Sequence, residues 1–358
     1  MAQAASGAGP APAPSPAPAT AAAAGAPAAA PGASGASGAF ETGYAHPRLH
    51  ALIERARRQA AQASAPAPIA IAHPGDVHAL RAAAAMADEG IARPVLVGAR
   101  ELIVRAAGSA GLDAGRFEIV ETGEDAKEAA ARAVALAREG VVQALMKGSL
   151  HTDEYLGAIV HRSAGLRLRD TRISHAFVFD LPRYHKLLAL ADCVVNVMPK
   201  PRAKHHILGN AVRLLRTLGV AEPKVAVVAA VETVTEAIQA TVDARTLVES
   251  ALDGEFGAVQ VEGPFGFDNA FSAEAARIKG LKSQVAGDAD LMLMPDLNAG
   301  NMLYKSFVYV GGAECAGLVL GVQVPVILTS RADSQLARLA SVALAVLAGR
   351  DERVAEER

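Results

Sequence analysis

The chain has 358 residues, 51% of them hydrophobic, enough to bury one large core or two medium ones. Its 35 basic and 37 acidic side chains leave a formal net charge of −2, which argues against a duplex nucleic acid partner, since that would demand a basic excess. Two cysteines, Cys193 and Cys315, both inside apolar runs, exclude a disulfide framework and read as buried thiols of a reducing compartment.

Residues 1–39 hold 19 Ala, 7 Pro and 6 Gly and no charged side chain. Nothing there buries enough apolar surface to offset roughly 1–2 kcal/mol of backbone entropy per residue. The stretch also lacks the basic start and continuous apolar core of a secretory signal. Residues 1–44 are therefore expected to be a disordered tail.

From Pro47 the signals alternate. "RLHALIERARRQAA" puts Leu49, Leu52, Ile53 and Ala56 on one helix face. "PIAIAH" is a short buried strand ending at His73-Pro74-Gly75, and "DVHALRAAAAMADEG" a helix with Asp76 as N-cap and Gly90 as stop. "RPVLVG", "FEIVET" and "VVQALMKG" read as strands, "ARELIVRAAGSAG" and "EDAKEAAARAVALAREG" as the helices between them. Another helix is expected from Thr152 to Ser163. Strands separated by such helices pair in parallel through right-handed crossovers. The middle differs, because "TRISHAFVFDLP" and "LLALADCVVNVMP" are neighbouring strand-like segments joined by "RYHK", an antiparallel excursion.

Alternation then resumes with a helix over 203–218, a strand "KVAVVAAV", a helix from Val234 to Leu252, and strands "AVQVEGP" and "DADLMLMPD". "GNMLYKSFVYVGG" is a helix, "GLVLG" and "VPVILTS" are closely spaced strands, and "SQLARLASVALAVLAG" closes the chain as a helix. The most apolar run, "FVYVGGAECAGLVLGVQVPVIL", contains Glu314, paired glycines and Pro325, which a membrane helix of ~20 residues tolerates poorly. Two α/β units around an irregular middle point to two domains, with a substrate cleft between them.

In open α/β sheets ligands collect at the carboxyl ends of strands, and five segments carry polar or glycine-rich sequence. Lys147-Gly148-Ser149 before a helix forms either an anion cradle or, with Thr152 and Asp153, a set of helix caps. Gly263-Pro264 followed by Asp268-Asn269 is a tight turn or a polar site. Asn298, Gly300, Asn301 and Lys305, opening a helix after Asp296, suit an oxyanion or a pantetheine amide. Ser330-Arg331 with Asp333 is either a cap, Ser330 or Asp333 serving the last helix, or a site in which Arg grips a phosphate or carboxylate and Asp acts as base. Lys200, Arg202, Lys204, His205 and His206 make a solvated helix start or a landing site for a polyanion.

Together, "ALMKGSLHTDEYLGAIV", "RISHAFVFD", "VAAVETV", "EGPFGFDNAFSAEAARIKG", "GDADLMLMPDLNAGNMLYK" and "VPVILTSRADS" resemble, in that order, the phosphate acetyl/butyryl transferase family. The likeness covers roughly residues 45–350 and is nearest the branch found as the C-terminal half of enoyl-CoA hydratase–phosphate acetyltransferase fusions. It implies an α/β fold of two α/β/α domains around a cleft, isocitrate/isopropylmalate dehydrogenase-like. Residues 45–168 and 320–358 would form the first domain and 169–319 the second, inserted one. It further implies reversible acetyl transfer between CoA and inorganic phosphate in a cytoplasmic homodimer, with CoA as a substrate, no metal and no other cofactor.

Carried onto this sequence, Arg331 binds the phosphoryl group and Ser330 hydrogen-bonds the reacting centre. The acetyl-type branch has its catalytic Asp seven residues after the Ser, which falls here on Ala337. The nearest carboxylate, Asp333, is the candidate base. Butyryl transfer is the alternative, since both activities share every segment quoted. From other classes, a dehydrogenase of the same fold and a non-catalytic acyl-CoA sensor remain. The first would require a dinucleotide fingerprint and a metal cluster, neither visible in the sequence, and the second is disfavoured by the presence of Ser330 and Arg331.

Overall fold

The computed structural model describes residues 43–328, 330 and 333–349. The expected tail up to residue 42 and Arg331 lie outside the described residues. Helix α1 (Pro47–Gln62) leads into β1 (Ala67–Ala72), α2 (Val77–Asp88), β2 (Ala92–Gly98), α3 (Arg100–Ala110), β3 (Glu118–Glu121), α4 (Ala126–Arg138), β4 (Ala144–Lys147) and α5 (Thr152–Val160). Strands β5 (Ser174–Asp180) and β6 (Leu188–Ala191) follow, then α6 (Pro201–Thr217), β7 (Lys224–Val228), α7 (Gln239–Leu252) and β8 (Gln260–Phe265). Short helices α8 (Phe267–Phe271) and α9 (Ala273–Ile278) precede β9 (Leu291–Leu293), α10 (Leu297–Tyr309), β10 (Glu314–Leu320), β11 (Val326–Ile327) and α11 (Gln335–Ala348).

All eleven strands join one sheet in the order β3-β2-β1-β4-β11-β10-β5-β6-β9-β7-β8. β3, β2, β1, β4 and β11 run parallel, and β10, β5 and β6 alternate direction before β9, β7 and β8 continue parallel to β6. The antiparallel excursion is where the sequence places it, with Phe177 opposite Leu190 and Phe179 opposite Leu188.

Strand alternation assigns the core. Ile69, Ile71, Met146, Val178, Leu318 and Ile327 face α1, α2, α3, α6, α7 and α11 in one cluster. On the other face the core divides in two. Ala70, Val97, Leu145, Val319 and Val326 pack under α4 and α5, and Phe177, Phe179, Leu190, Met292 and Cys315 pack under α8 and α10. The result is three layers, helices on both faces of one sheet. Among the described residues no helix is long and apolar enough to cross a membrane. Asp180, fully buried, accepts from the Arg48 and Leu49 amides and from Arg48 Nη1 at 2.6 Å, so the last residue of "FVFD" anchors the start of α1.

Several expected boundaries move, each for a local reason. The strand expected to run to Pro199 stops at Ala191, because Asp192 Oδ1 accepts from the Val194 and Val195 amides and folds the apolar run into a turn. The helix expected from Val234 starts at Gln239, because Thr241 Oγ1 bonds both the amide and the carbonyl of Thr235 and holds the preceding loop. The helix expected from Gly300 starts at Leu297, with the Asp296 carboxylate accepting from Ala299 N. Helix α5 ends at Val160, three residues early. Asp76 and Gly90 behave as expected, the first accepting from Ala79 N at 2.8 Å and the second following the end of α2 at φ 65°.

Candidate active site

Three parallel neighbours, β1, β4 and β11, end side by side. Ala72 is level with Lys147, and Ile327 with Met146, so His73-Pro74-Gly75, Lys147-Gly148-Ser149 and the segment after Leu328 converge although His73 and Ser330 are 257 positions apart in sequence. The first contact is very close. Gly148 N donates to Ala72 O and Ser149 N to His73 O, both at 2.9 Å. A Cβ on Gly148 would stand 2.4 Å from Ala72 O and 2.6 Å from His73 O, so only glycine fits. Ser149 Oγ donates to His73 O at 2.8 Å and accepts from Gly75 N at 3.1 Å, which stitches the two turns together. Ser149 is thus not a helix cap, and His151 occupies the N-cap position, its amide donating to Glu154. Lys147 is 7% exposed, and its ammonium donates to Gly148 O at 3.3 Å.

The segment after β11 is held from below. Asp333 Oδ2 accepts from Ser330 N at 2.6 Å, and Arg338 Nη2 of α11 donates to Ser330 O at 2.6 Å. Arg338 Nε also reaches Asp333 O, so one buried guanidinium supports both ends of the turn. Neither Ser330 nor Asp333 caps α11. Ser334 does, accepting from Ala337 N at 3.0 Å while its hydroxyl donates to Glu314 at 2.8 Å. Ala337, where the family's acid would fall, is buried in the helix. Ser330 is exposed, in a turn whose backbone is fixed.

Burial raises the Asp333 pKa above the ordinary carboxylate value, and nearby Glu314 adds to the rise. The Ser330 amide, Arg338 and Lys147 oppose it. Lys147 therefore lies within electrostatic reach of Asp333, and the first and fourth candidate stretches lie at adjacent strand ends. A partly buried carboxyl with a raised pKa beside an exposed hydroxyl and a lysine can exchange a proton and hold an anion.

The third stretch contributes differently. Gly300 lets α10 approach the turn after β6, where a Cβ would meet Asp192 O at 2.6 Å, and Asn301 Nδ2 donates to Cys193 O at 3.2 Å. Both residues pack the helix onto the sheet. Asn298 and Lys305 are exposed on α10. What links α10 to the β11 end is Tyr304, stacked on Phe177 at 4.2 Å, its phenol pKa raised by burial and then by Cys315 and Asp333. Asp268 and Asn269 follow β8, the outermost strand, where Lys279 pairs with Asp268 and Glu232.

Sequence reasoning missed Arg338, Glu314 and Tyr304. For Arg338 a signal existed, since it is the sole charged residue of α11, within an otherwise Ala/Leu/Val-rich helix that must bury most of its surface. Another residue without an expected role is His175 on β5. It is fully buried, its ring nitrogens have no hydrogen-bond partner among the described residues, and burial lowers its pKa to about 3, so the ring is neutral.

A family model described as Phosphate acetyl/butaryl transferase matches residues 124–346. The chain is 46% identical over 297 residues to a phosphate acetyltransferase of Rhizobium meliloti, covering 83% of this chain and 93% of that one. It is 37% identical to a phosphate butyryltransferase of Clostridium acetobutylicum over 78% of this chain and 92% of that one. A crystal structure of a branched-chain phosphotransacylase from Enterococcus faecalis V583 superposes with a TM-score of 0.69 at 27% identity, over 79% of this chain and 98% of that one. The chain belongs to the phosphate acetyl/butyryl transferase family.

Proposed function

We propose that the protein is a phosphate acetyltransferase that moves an acetyl group reversibly between CoA and inorganic phosphate. The observation that carries this reading is the 46% identity to the Rhizobium meliloti phosphate acetyltransferase, sustained over nearly the whole of that chain. Butyryl transfer is the second reading, supported by 37% identity to the Clostridium acetobutylicum phosphate butyryltransferase.

In the direction of acetyl-CoA synthesis, the CoA sulfur attacks the carbonyl carbon of acetyl phosphate, the tetrahedral adduct collapses, and phosphate leaves with the C–O bonding pair. The thiol must first lose its proton, and with a free pKa of about 8.5 it needs a base. In our reading Asp333 takes that proton. Arg331 grips the phosphoryl oxygens and the Ser330 hydroxyl bonds the reacting carbonyl. Lys147, Gly148 and Ser149 border the anion, while Asn298, Gly300, Asn301 and Lys305 approach the pantetheine arm from α10. CoA is a substrate here, and the reaction as written needs no cofactor. We further infer a cytoplasmic homodimer, with residues 45–168 and 320–358 forming one domain, 169–319 the other, and the substrates held between them.

Thiol release from acetyl-, propionyl- and butyryl-CoA, measured with and without phosphate, tests the activity. Phosphate-dependent release with the highest kcat/KM on acetyl-CoA is expected. A butyryl preference would favour the second reading, and no release from any of the three would reject both. Asp333→Asn keeps an oxygen to accept from Ser330 N, so the turn should survive. Its kcat should nonetheless fall about 10²–10⁴-fold. The acid limb of the wild-type pH–rate profile, expected above the ordinary carboxylate pKa because Asp333 is raised, should vanish in this variant. An unchanged profile would remove Asp333 from the role of base.

A further inference from the structure

The connection from α5 to β5 and the start of α6 face each other across a hollow of about 1080 Å³. Arg162, Arg167, Arg169 and Arg172 line it from the first segment and Lys200 and Arg202 from the second, and among the described residues the only carboxylate in the lining is Asp170. None of Arg162, Arg167, Arg172, Lys200 and Arg202 makes an ion pair with a carboxylate among the described residues. The arrangement is built rather than incidental. Arg172 Nε donates to Asn196 Oδ1 at 2.5 Å, and Asn196 is itself buried and fixed by Asp192 and the Ile173 carbonyl. The first turn of the 17-residue α6 carries no acidic residue, so its N-terminal partial charge adds to the field.

Five of these cations, Arg162, Arg167, Arg172, Lys200 and Arg202, repel one another around the hollow, and Asp170, the one carboxylate in its described lining, does not offset that repulsion in full. A multiply charged anion would. His206, on α6 at the same hollow, records the field: burial lowers its pKa, and His205, Arg202, Arg172 and Arg213 lower it further. The hollow is also distant from the Ser330–Asp333 turn. It lies beyond Ser174, the first residue of β5, whereas Glu314 and Ser334 of the active site adjoin Asp180 at its far end, roughly 20 Å away at about 3.3 Å per residue.

We propose that this basin is a binding site for a compact polyphosphate ester, the chemistry shared by pyrophosphate, ADP and the 3′-phosphorylated ADP end of CoA. Planar guanidinium groups drawn from both segments suit two or more phosphates at once, since each can donate two parallel hydrogen bonds to phosphate oxygens. The size of the hollow accommodates a nucleotide. The proposal stands on the charge and shape of this hollow and not on the acyl-transfer reading.

Its test is titration of the full chain with pyrophosphate and ADP by calorimetry in 150 mM NaCl, alongside the NMR titration of the histidine resonance lost in His206→Gln. We expect saturable binding of one ligand per chain and a rise of about one unit in the His206 pKa on saturation. Arg167→Glu and Arg202→Glu should weaken binding at least tenfold, and Arg167→Gln and Arg202→Gln by less, all with unchanged melting temperatures. If the occupant is the nucleotide end of CoA, adenosine 3′,5′-bisphosphate displaces pyrophosphate and the variants raise KM for CoA without lowering kcat. If it is a separate nucleotide, ADP displaces pyrophosphate while CoA does not, and KM for CoA is unchanged. Absence of saturable binding up to 1 mM, or binding equal in all four variants, would overturn the proposal whether or not the chain transfers acyl groups.

Discussion

Arg331→Ala is expected to lower kcat for phosphate-dependent acetyl transfer by about 100-fold or more, with the melting temperature unchanged. The expectation rests on charge. Phosphate departs as a dianion, and that charge develops as the C–O bond breaks, so a guanidinium aimed at the phosphoryl oxygens gains more in the transition state than in the bound substrate. The turn around it has supports of its own, since Ser330 N donates to the Asp333 carboxylate and Arg338 donates to the Ser330 and Asp333 carbonyls, so the fold should survive the substitution. Arg331→Lys keeps the charge and loses the two-pronged geometry, so it should recover only part of the rate. Wild-type turnover in Arg331→Ala would remove this residue from the mechanism.

The second large effect is structural in origin. Gly148→Ala is expected to destabilise the fold by about 2–4 kcal/mol and to reduce activity in whatever protein remains folded. The new methyl would meet three backbone atoms at once, Ala72 O at 2.4 Å, His73 O at 2.6 Å and His73 C at 2.8 Å, and backbone cannot swing aside as a flexible side chain can. Relief requires the ends of β1 and β4 to part, which breaks the Ser149 bridge to His73 and Gly75. A control sits nine residues on. Gly157 lies exposed within α5 with nothing within 4 Å of its would-be Cβ, so Gly157→Ala should stabilise by about 0.5–1 kcal/mol through helix propensity alone. Urea midpoints of the two variants measure both effects. Equal midpoints would show that the β1–β4 contact has slack that the distances do not suggest.

The sequence by itself determined whatever depends on short-range physics. Apolar spacing marked α1 by Leu49, Leu52, Ile53 and Ala56, all of which are buried. Asp76 and Gly90 marked the ends of α2 through hydrogen bonds and backbone freedom that involve only near neighbours. Where local bonding competed with pattern the reading slipped, as at Asp192, whose side chain bends an apolar run that alternation alone extends to Pro199. The ordered segments also carried the family likeness, because that information resides in residue identity.

Tertiary structure alone decided which strand ends meet. Parallel pairing joins residues whose partners no local signal names, so the neighbourhood of Ala72, Lys147 and Ser330 exists only once β1, β4 and β11 lie side by side. The same holds for Arg338, which reads as a stray charge on an apolar helix until α11 docks beneath the Ser330 turn. It holds again for the basic hollow, since the arginines before β5 and the cations opening α6 stand some thirty residues apart in sequence. Periodicity and capping act over a few residues, whereas a site is assembled by packing, and packing selects neighbours by shape and buried area regardless of their distance along the chain.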